Sequence, residues 1–191
     1  MEGLTKFVKV LARVMEVCCW VGSALIAASL VAIAVGKENL LKYFSSITTE
    51  SELSIAGLEI DMSVVDPSQV IRAFVVFFVT ALIVCVLMAL VFRNIYLIFK
   101  TAEGKTKFSK GVTPFQPDIV RMIRKIGIYC LAVPVVQIIM SIVARLILGH
   151  EGSEIAVTLD LSTIFFGLVV LCLSHFFAYG AKLQEDTEGL V

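Results

Sequence analysis

The stretch AFVVFFVTALIVCVLMALVF, from Ala73 to Phe92, contains no charged residue and lies between Arg72 and Arg93. An α-helix rises ~1.5 Å per residue, so ~20 residues cross the ~30 Å hydrocarbon core of a bilayer. A helix of a soluble domain would need a polar face, and this stretch has none. The sequence therefore predicts a transmembrane helix here.

Three further apolar stretches have the same length and similar charged flanks. Together the four predict spans at about residues 17–36, 73–92, 126–146 and 161–181 of the 191-residue chain. The composition agrees, because 59% of the residues are hydrophobic and 17% are charged, against about 45–50% and about 25% in soluble domains. The predicted fold class is an all-α membrane protein of four transmembrane helices, with residues 1–191 forming a single integral membrane domain.

Basic residues are concentrated on one side of these spans. The N-terminal segment, the inner loop 93–125 and the C-terminal tail contain 12 of the 16 lysine and arginine residues, and 4 lie on the other side. Because cytoplasmic segments are enriched in lysine and arginine, both termini are predicted to be cytoplasmic. The net charge is zero, which argues neither for nor against a nucleic-acid partner. Direct nucleic-acid binding is not expected.

The outer loops, residues 37–72 and 147–160, contain segments in which apolar and polar residues alternate. The apolar members are Leu53, Ile55, Leu58, Ile60, Met62 and Val64 in the first loop, and Ile155, Val157 and Leu159 in the second. A period of two is typical of a strand with one buried face, and a third strand would support an otherwise marginal hairpin. We therefore predict a small extracellular β-sheet built from both loops, with its apolar face on the helix ends.

The inner loop ends in a basic, amphipathic segment that runs into the third span. The segment TPFQPD, from Thr113 to Asp118, breaks regular structure, and a helical pattern follows with Arg121, Arg124 and Lys125 on one side. Such a cluster sets topology and contacts anionic lipid headgroups. The alternative is a docking surface for a cytoplasmic partner. The sequence leaves both interpretations open.

The sequence contains no recognisable catalytic, metal-binding or cofactor-binding motif. All five cysteines lie in or beside apolar runs, so no disulfide framework or zinc site is expected. Apart from cysteine, tyrosine and Arg145 at the edge of the third span, His175 is the only ionisable residue inside a span, and we expect it to be packed and hydrogen-bonded. Gln137 lies mid-span between Pro134 and Ser141; it indicates either interhelical packing or a substrate or gating site at a kinked helix.

Two segments resemble a family of small bacterial four-span membrane proteins that is catalogued as a domain of unknown function. GVTPF at Gly111–Phe115, followed by RMIRKIG at Arg121–Gly127, is similar to the signature G-x-PF-x-x-x-N-x-x-x-L-R-x-I-G. YGAKLQED at Tyr179–Asp186 is similar to its G-x-x-L-Q-E ending. The chain has Asp118 or Ile119 where the family commonly has asparagine. The resemblance implies a multi-pass protein of the bacterial plasma membrane, often encoded beside helix-turn-helix regulators of the Cro/CI type.

These observations give three hypotheses for the function, and none of them is enzymatic. The first is a membrane protein that signals or tethers a cytoplasmic helix-turn-helix regulator. Its candidate contacts with that partner or with lipid are Pro114, Phe115, Arg121, Arg124, Lys125, Leu183, Gln184, Glu185 and Asp186. The second is a small transporter, exporter or immunity protein that works as a homodimer, with Pro134, Gln137 and Ser141 as its mid-membrane polar site. The third is a subunit of a larger complex. No cofactor is expected.

Overall fold

A computed structural model describes residues 2–36, 52–55, 58–61, 70–104, 115–148, 155–157 and 161–188. In chain order, its elements are α1 (Glu2–Val35), β1 (Glu52–Ile55), β2 (Leu58–Asp61), α2 (Val70–Ala102), α3 (Pro117–Leu148), β3 (Ile155–Val157) and α4 (Leu161–Glu188).

All four helices are long and apolar enough to cross a membrane, which confirms the prediction of four candidate spans. The helices extend beyond the spans, because α1 begins at Glu2 and α2 continues to Ala102. The predicted spans end at charged residues, but lysine, arginine and glutamate are good helix formers and do not stop a helix. A glycine ends α2: Gly104 has φ 73°, a value that side chains with a Cβ rarely adopt.

The three strands form one antiparallel sheet of order β1-β2-β3. Leu53 pairs with Ile60 between β1 and β2, and Ile60 pairs with Ile155 between β2 and β3. Strands from both predicted outer loops therefore share one sheet, as their alternating sequence predicted. The side chains of the strands lie outside the described part of the structure. The contact between the apolar face of the sheet and the helix ends therefore stays a prediction.

Contacts between residues divide the chain into two compact units. The first contains Met1–Cys19, Leu87–Ala132 and Leu161–Val191, and the second contains Trp20–Val86 and Val133–Asp160. In the second unit, α2 and α3 pack as antiparallel neighbours around a core of Val70, Ala73, Val76, Met140, Ala144 and Leu148. The small side chains of Ala73 and Ala144, both 0% exposed, allow these helices to approach closely.

The first unit has its own core and a close helix crossing. Val91, Ile126 and Cys130 form the core, with Tyr129 and Val170 packed against it. At the crossing of α3 and α4, a Cβ built on Gly127 would lie 2.7 Å from Leu171 Cγ and 3.1 Å from the Gly167 carbonyl oxygen. A Cβ on Gly167 would lie 2.9 Å from Leu131 Cγ and 3.3 Å from the Gly127 carbonyl oxygen. Each glycine therefore provides the space that the other helix occupies.

Candidate functional site

The two segments that carry the family resemblance meet in the first unit. The ring of Phe115, which precedes α3, lies against Gly180 of α4, and a Cβ at Gly180 would be 2.7 Å from Cδ1 and Cε1 of that ring. The rings of Phe115 and Phe177 are 5.6 Å apart, centroid to centroid, at an interplanar angle of 36°. Phe115 keeps 42% of its surface exposed. This aromatic contact joins the start of α3 to the last turns of α4, and we call it the Phe115 contact.

The basic segment follows directly as the first turns of α3. Pro117 occupies the first helical position, where a missing N–H costs nothing, and the Val120 N–H donates to the Gln116 carbonyl at 3.1 Å. Ile119, Ile123 and Ile126 are buried, with exposures of 1%, 7% and 6%. The three cations Arg121, Arg124 and Lys125 are exposed on the other side. The predicted amphipathic pattern is therefore confirmed.

Among the residues that the structure describes, these cations have almost no ion-pair partners. The Arg121 side chain is 74% exposed, and its only ion pair among the described residues is a 3.9 Å contact with Asp118. Arg124 and Lys125 form no ion pair with any residue that the structure describes. Their charge is therefore available to a ligand, a lipid or a partner protein.

The predicted tail residues lie on a helix, because α4 continues to Glu188. Leu183 is 53% exposed, and Glu185 and Asp186 are also exposed. Gln184 is half-buried and has a partner within the chain. Pro114, the remaining member of the predicted contact set, lies outside the described residues.

Two ion pairs of the first unit, Lys9–Glu103 and Arg13–Glu16, were not predicted from the sequence. Lys9 Nζ donates to both carboxylate oxygens of Glu103 at 2.8 Å, joining α1 to the residue after α2. Arg13 donates to Glu16 at 2.7 Å, and its guanidinium lies 5.3 Å from the centroid of the Tyr96 ring. The i,i+3 spacing of Arg13 and Glu16 is visible in the sequence, but the pairing of Lys9 with Glu103 cannot be recognised without knowing which helices meet.

The mid-span polar residues face the interior of the second unit. Pro134 is buried, Gln137 is 2% exposed and Ser141 is 6% exposed. The Ser141 hydroxyl donates to the Ile138 carbonyl at 2.8 Å, whereas the buried Gln137 Oε1 accepts no hydrogen bond within the described chain. α3 is unbroken through Pro134, so a discontinuous helix of the transporter type is not present at this proline.

His175 is not packed as predicted. It is exposed on α4, where it lines an apolar groove of about 590 Å³ with Leu171, Cys172, Phe176 and Tyr179. The expectation was wrong because a single sequence does not show which face of an apolar helix points to its neighbours. Among the described residues, no group of three or more histidine, cysteine, aspartate or glutamate side chains could hold a metal ion.

Comparison with known proteins gives no relative. No protein-family model matches the chain, and no match is found among curated proteins or solved structures. The resemblance to the four-span bacterial family therefore stays a hypothesis, and the function is argued from the chain's own residues.

Proposed function

We propose that this protein is a non-enzymatic membrane anchor whose inner surface holds a cytoplasmic regulatory protein. The observation that carries the proposal is the Phe115 contact, which joins two segments that are distant in sequence. It places an exposed basic helix start and an exposed acidic helix end in one unit. We call the exposed residues Phe115, Arg121, Arg124, Lys125, Leu183, Glu185 and Asp186 the inner surface.

The mixture of charges favours a protein over lipid as the principal ligand. Anionic headgroups attract Arg124 and Lys125 at roughly 1 kcal/mol per charge, but they repel Glu185 and Asp186. A protein surface can present opposite charges to both sets and apolar side chains to Phe115 and Leu183. Exposed aromatic and arginine side chains are also the types that contribute most to protein–protein binding.

The proposal includes an orientation. Both termini and the loop 93–125 would face the cytoplasm of a bacterial cell, and the three-stranded sheet would lie outside the plasma membrane. The support is the unequal distribution of lysine and arginine between the two sides. Topology reporters fused after residues 60 and 188 would test it. The reporter after residue 60 should be active only outside the membrane and the reporter after residue 188 only in the cytoplasm, because three candidate spans separate the two positions. The reverse pattern would refute the orientation.

The tethering test is an affinity purification of the intact protein from native membranes. The variant Arg121→Gln/Arg124→Gln/Lys125→Gln should lose a co-purifying regulator that the wild type retains. The matched control neutralises three exposed cations elsewhere, Lys6→Gln/Arg72→Gln/Arg93→Gln, and should retain it. A second variant lacking residues 183–191 should also lose it. Retention in both variants, or equal loss in the control, would refute a specific inner surface.

One observation favours transport as a second candidate function. Gln137 is buried in the second unit with an acceptor oxygen that no described group satisfies. A buried unsatisfied acceptor costs roughly 1–3 kcal/mol, so a bound water or substrate donor at this oxygen would be stabilising. Flux measurements in vesicles with Gln137→Leu would test this function. A loss of flux would support it, and unchanged flux would remove the reason for it.

A further inference from the structure

One face of α1 is apolar and exposed. It extends from the predicted first span toward the N-terminus, beyond the start of that span. Its members in the first unit follow a spacing of three and four residues: Leu4, Phe7, Leu11, Val14 and Cys18. We call this set the outer stripe. Leu4, Phe7, Leu11 and Val14 are 72%, 64%, 48% and 51% exposed, and Cys18 is exposed too. This spacing is the a/d pattern of helices that pack side by side.

Contacts within the chain determine which way this face points. Lys9 forms an ion pair with Glu103, and the side chains of Ala12 and Glu16 are buried, with 3% and 5% of their surface exposed. The ion-paired face of α1 therefore packs on its own chain. Three residues of the outer stripe, Leu11, Val14 and Cys18, each follow one of these by two positions, which is roughly 200° around the helix, so the outer stripe points away from the described residues that pack on α1.

Lipid cannot cover the whole outer stripe. Residues 3–16 contain four charged residues, whereas residues 17–36 contain none. The hydrocarbon core of the bilayer therefore begins near Val17. Phe7 and Leu4 are ten and thirteen residues earlier, which places them about 15 and about 20 Å beyond that boundary. The headgroup zone is only about 5–8 Å deep on each side, and a helix tilt near 20° shortens these heights by only a few per cent. Both side chains would therefore stand in water.

We infer that a second copy of this chain covers the outer stripe, through parallel pairing of the two α1 helices. Two copies in one membrane have the same orientation, so the same residues meet at the same height around a two-fold axis. Charge permits this pairing. The positions beside the seam are Val8, Val10, Met15 and Val17, whereas the cations Lys6 and Arg13 lie one position further from it. Like charges therefore do not oppose each other across the seam.

Disulfide cross-linking of the full chain in its membrane tests the pairing directly. Single cysteines would be placed at positions 4, 7, 11 and 14 in a background that lacks the native cysteines, and Cys18 would be tested as the single native cysteine. Lys6→Cys and Arg13→Cys are the controls, because both positions are exposed but off the seam. A disulfide needs a Cα–Cα distance of about 4.4–6.8 Å, which parallel seam positions approach.

Oxidation with copper phenanthroline should give a band of twice the monomer mass at all seam positions, several-fold stronger than at positions 6 and 13. Phe7→Glu should reduce cross-linking through Cys18 to the control level, while Lys6→Glu should not. Equal yields at all positions would show random collision and overturn the inference. Absence of dimer, or recovery of position 7 cross-linked to a different protein, would overturn it as well.

Discussion

The crossing of α3 and α4 allows a quantitative test of the fold through one methyl group. Gly127→Ala would place a Cβ 2.7 Å from Leu171 Cγ, 2.8 Å from Leu171 Cδ2 and 3.1 Å from the Gly167 carbonyl oxygen. The first two distances are shorter than carbon atoms tolerate, so either Leu171 changes rotamer or the helices separate. Overpacking of this kind costs about 1–3 kcal/mol.

Gly22→Ala is the matched control, because a Cβ there would meet only Cys85 Sγ, at an ordinary 3.5 Å. Both substitutions replace glycine inside a helix and gain about 1 kcal/mol of helix propensity. This gain cancels in the comparison. We therefore expect Gly127→Ala to be less stable than Gly22→Ala by about 1–3 kcal/mol.

The assay is equilibrium unfolding in mixed micelles of dodecyl maltoside and sodium dodecyl sulfate, followed by circular dichroism. A double-mutant cycle identifies the contact, since Leu171→Ala removes both clashing atoms and should reduce the cost of Gly127→Ala. The remaining 3.1 Å approach to the Gly167 carbonyl should leave part of that cost. If Gly127→Ala were as stable as Gly22→Ala, or equally costly with and without Leu171, the close crossing would be refuted.

Three further predictions concern the ion pair, the aromatic contact and the buried amide. The side chains of Lys9 and Glu103 are 23% and 24% exposed, so a double-mutant cycle with Lys9→Met and Glu103→Gln should measure a coupling energy near or below about 1 kcal/mol. This coupling energy should decrease with added salt. A coupling energy independent of salt would contradict an electrostatic pair. Gly180→Ala should displace the ring of Phe115 and reduce the recovery of the regulator in the affinity purification. The protein should stay folded, since the ring is partly exposed and can move. Unchanged recovery would show that the Phe115 contact does not organise the inner surface. Gln137→Leu should raise the free energy of unfolding by about 1–3 kcal/mol, because it removes an unsatisfied acceptor from an apolar core. A lower free energy of unfolding would show that Gln137 Oε1 has a hydrogen-bond partner in the membrane.

A pairing of two α1 helices would bear on the proposed tethering function. Each copy has its own inner surface, so a dimer would present two of them to the cytoplasm. The tethering test and the cross-linking test remain separable, because Phe7→Glu alters the outer stripe and leaves the inner surface residues unchanged.

The sequence alone determined the number and position of the candidate spans, but not the ends of the helices, since α1 begins at Glu2 and α2 continues to Ala102. Runs such as Ala73–Phe92 lack any polar face, and charged residues mark their ends, so hydropathy and length suffice. The three strands were also visible in the sequence, because alternation has a period that depends only on the local backbone. The amphipathic start of α3 was predictable for the same reason, since Ile119 and Ile123 recur at helical spacing.

Only the tertiary structure decided which helix faces meet. An apolar helix in a membrane has no polar side to mark its exterior, so the exposure of His175 and the burial of Gln137 depend on packing partners distant in sequence. The same reason explains why the Lys9–Glu103 pair and the Phe115 contact were missed. These residues are 94 and 65 positions apart in the chain, and no local pattern records such a separation; the crossing of the helices brings them together.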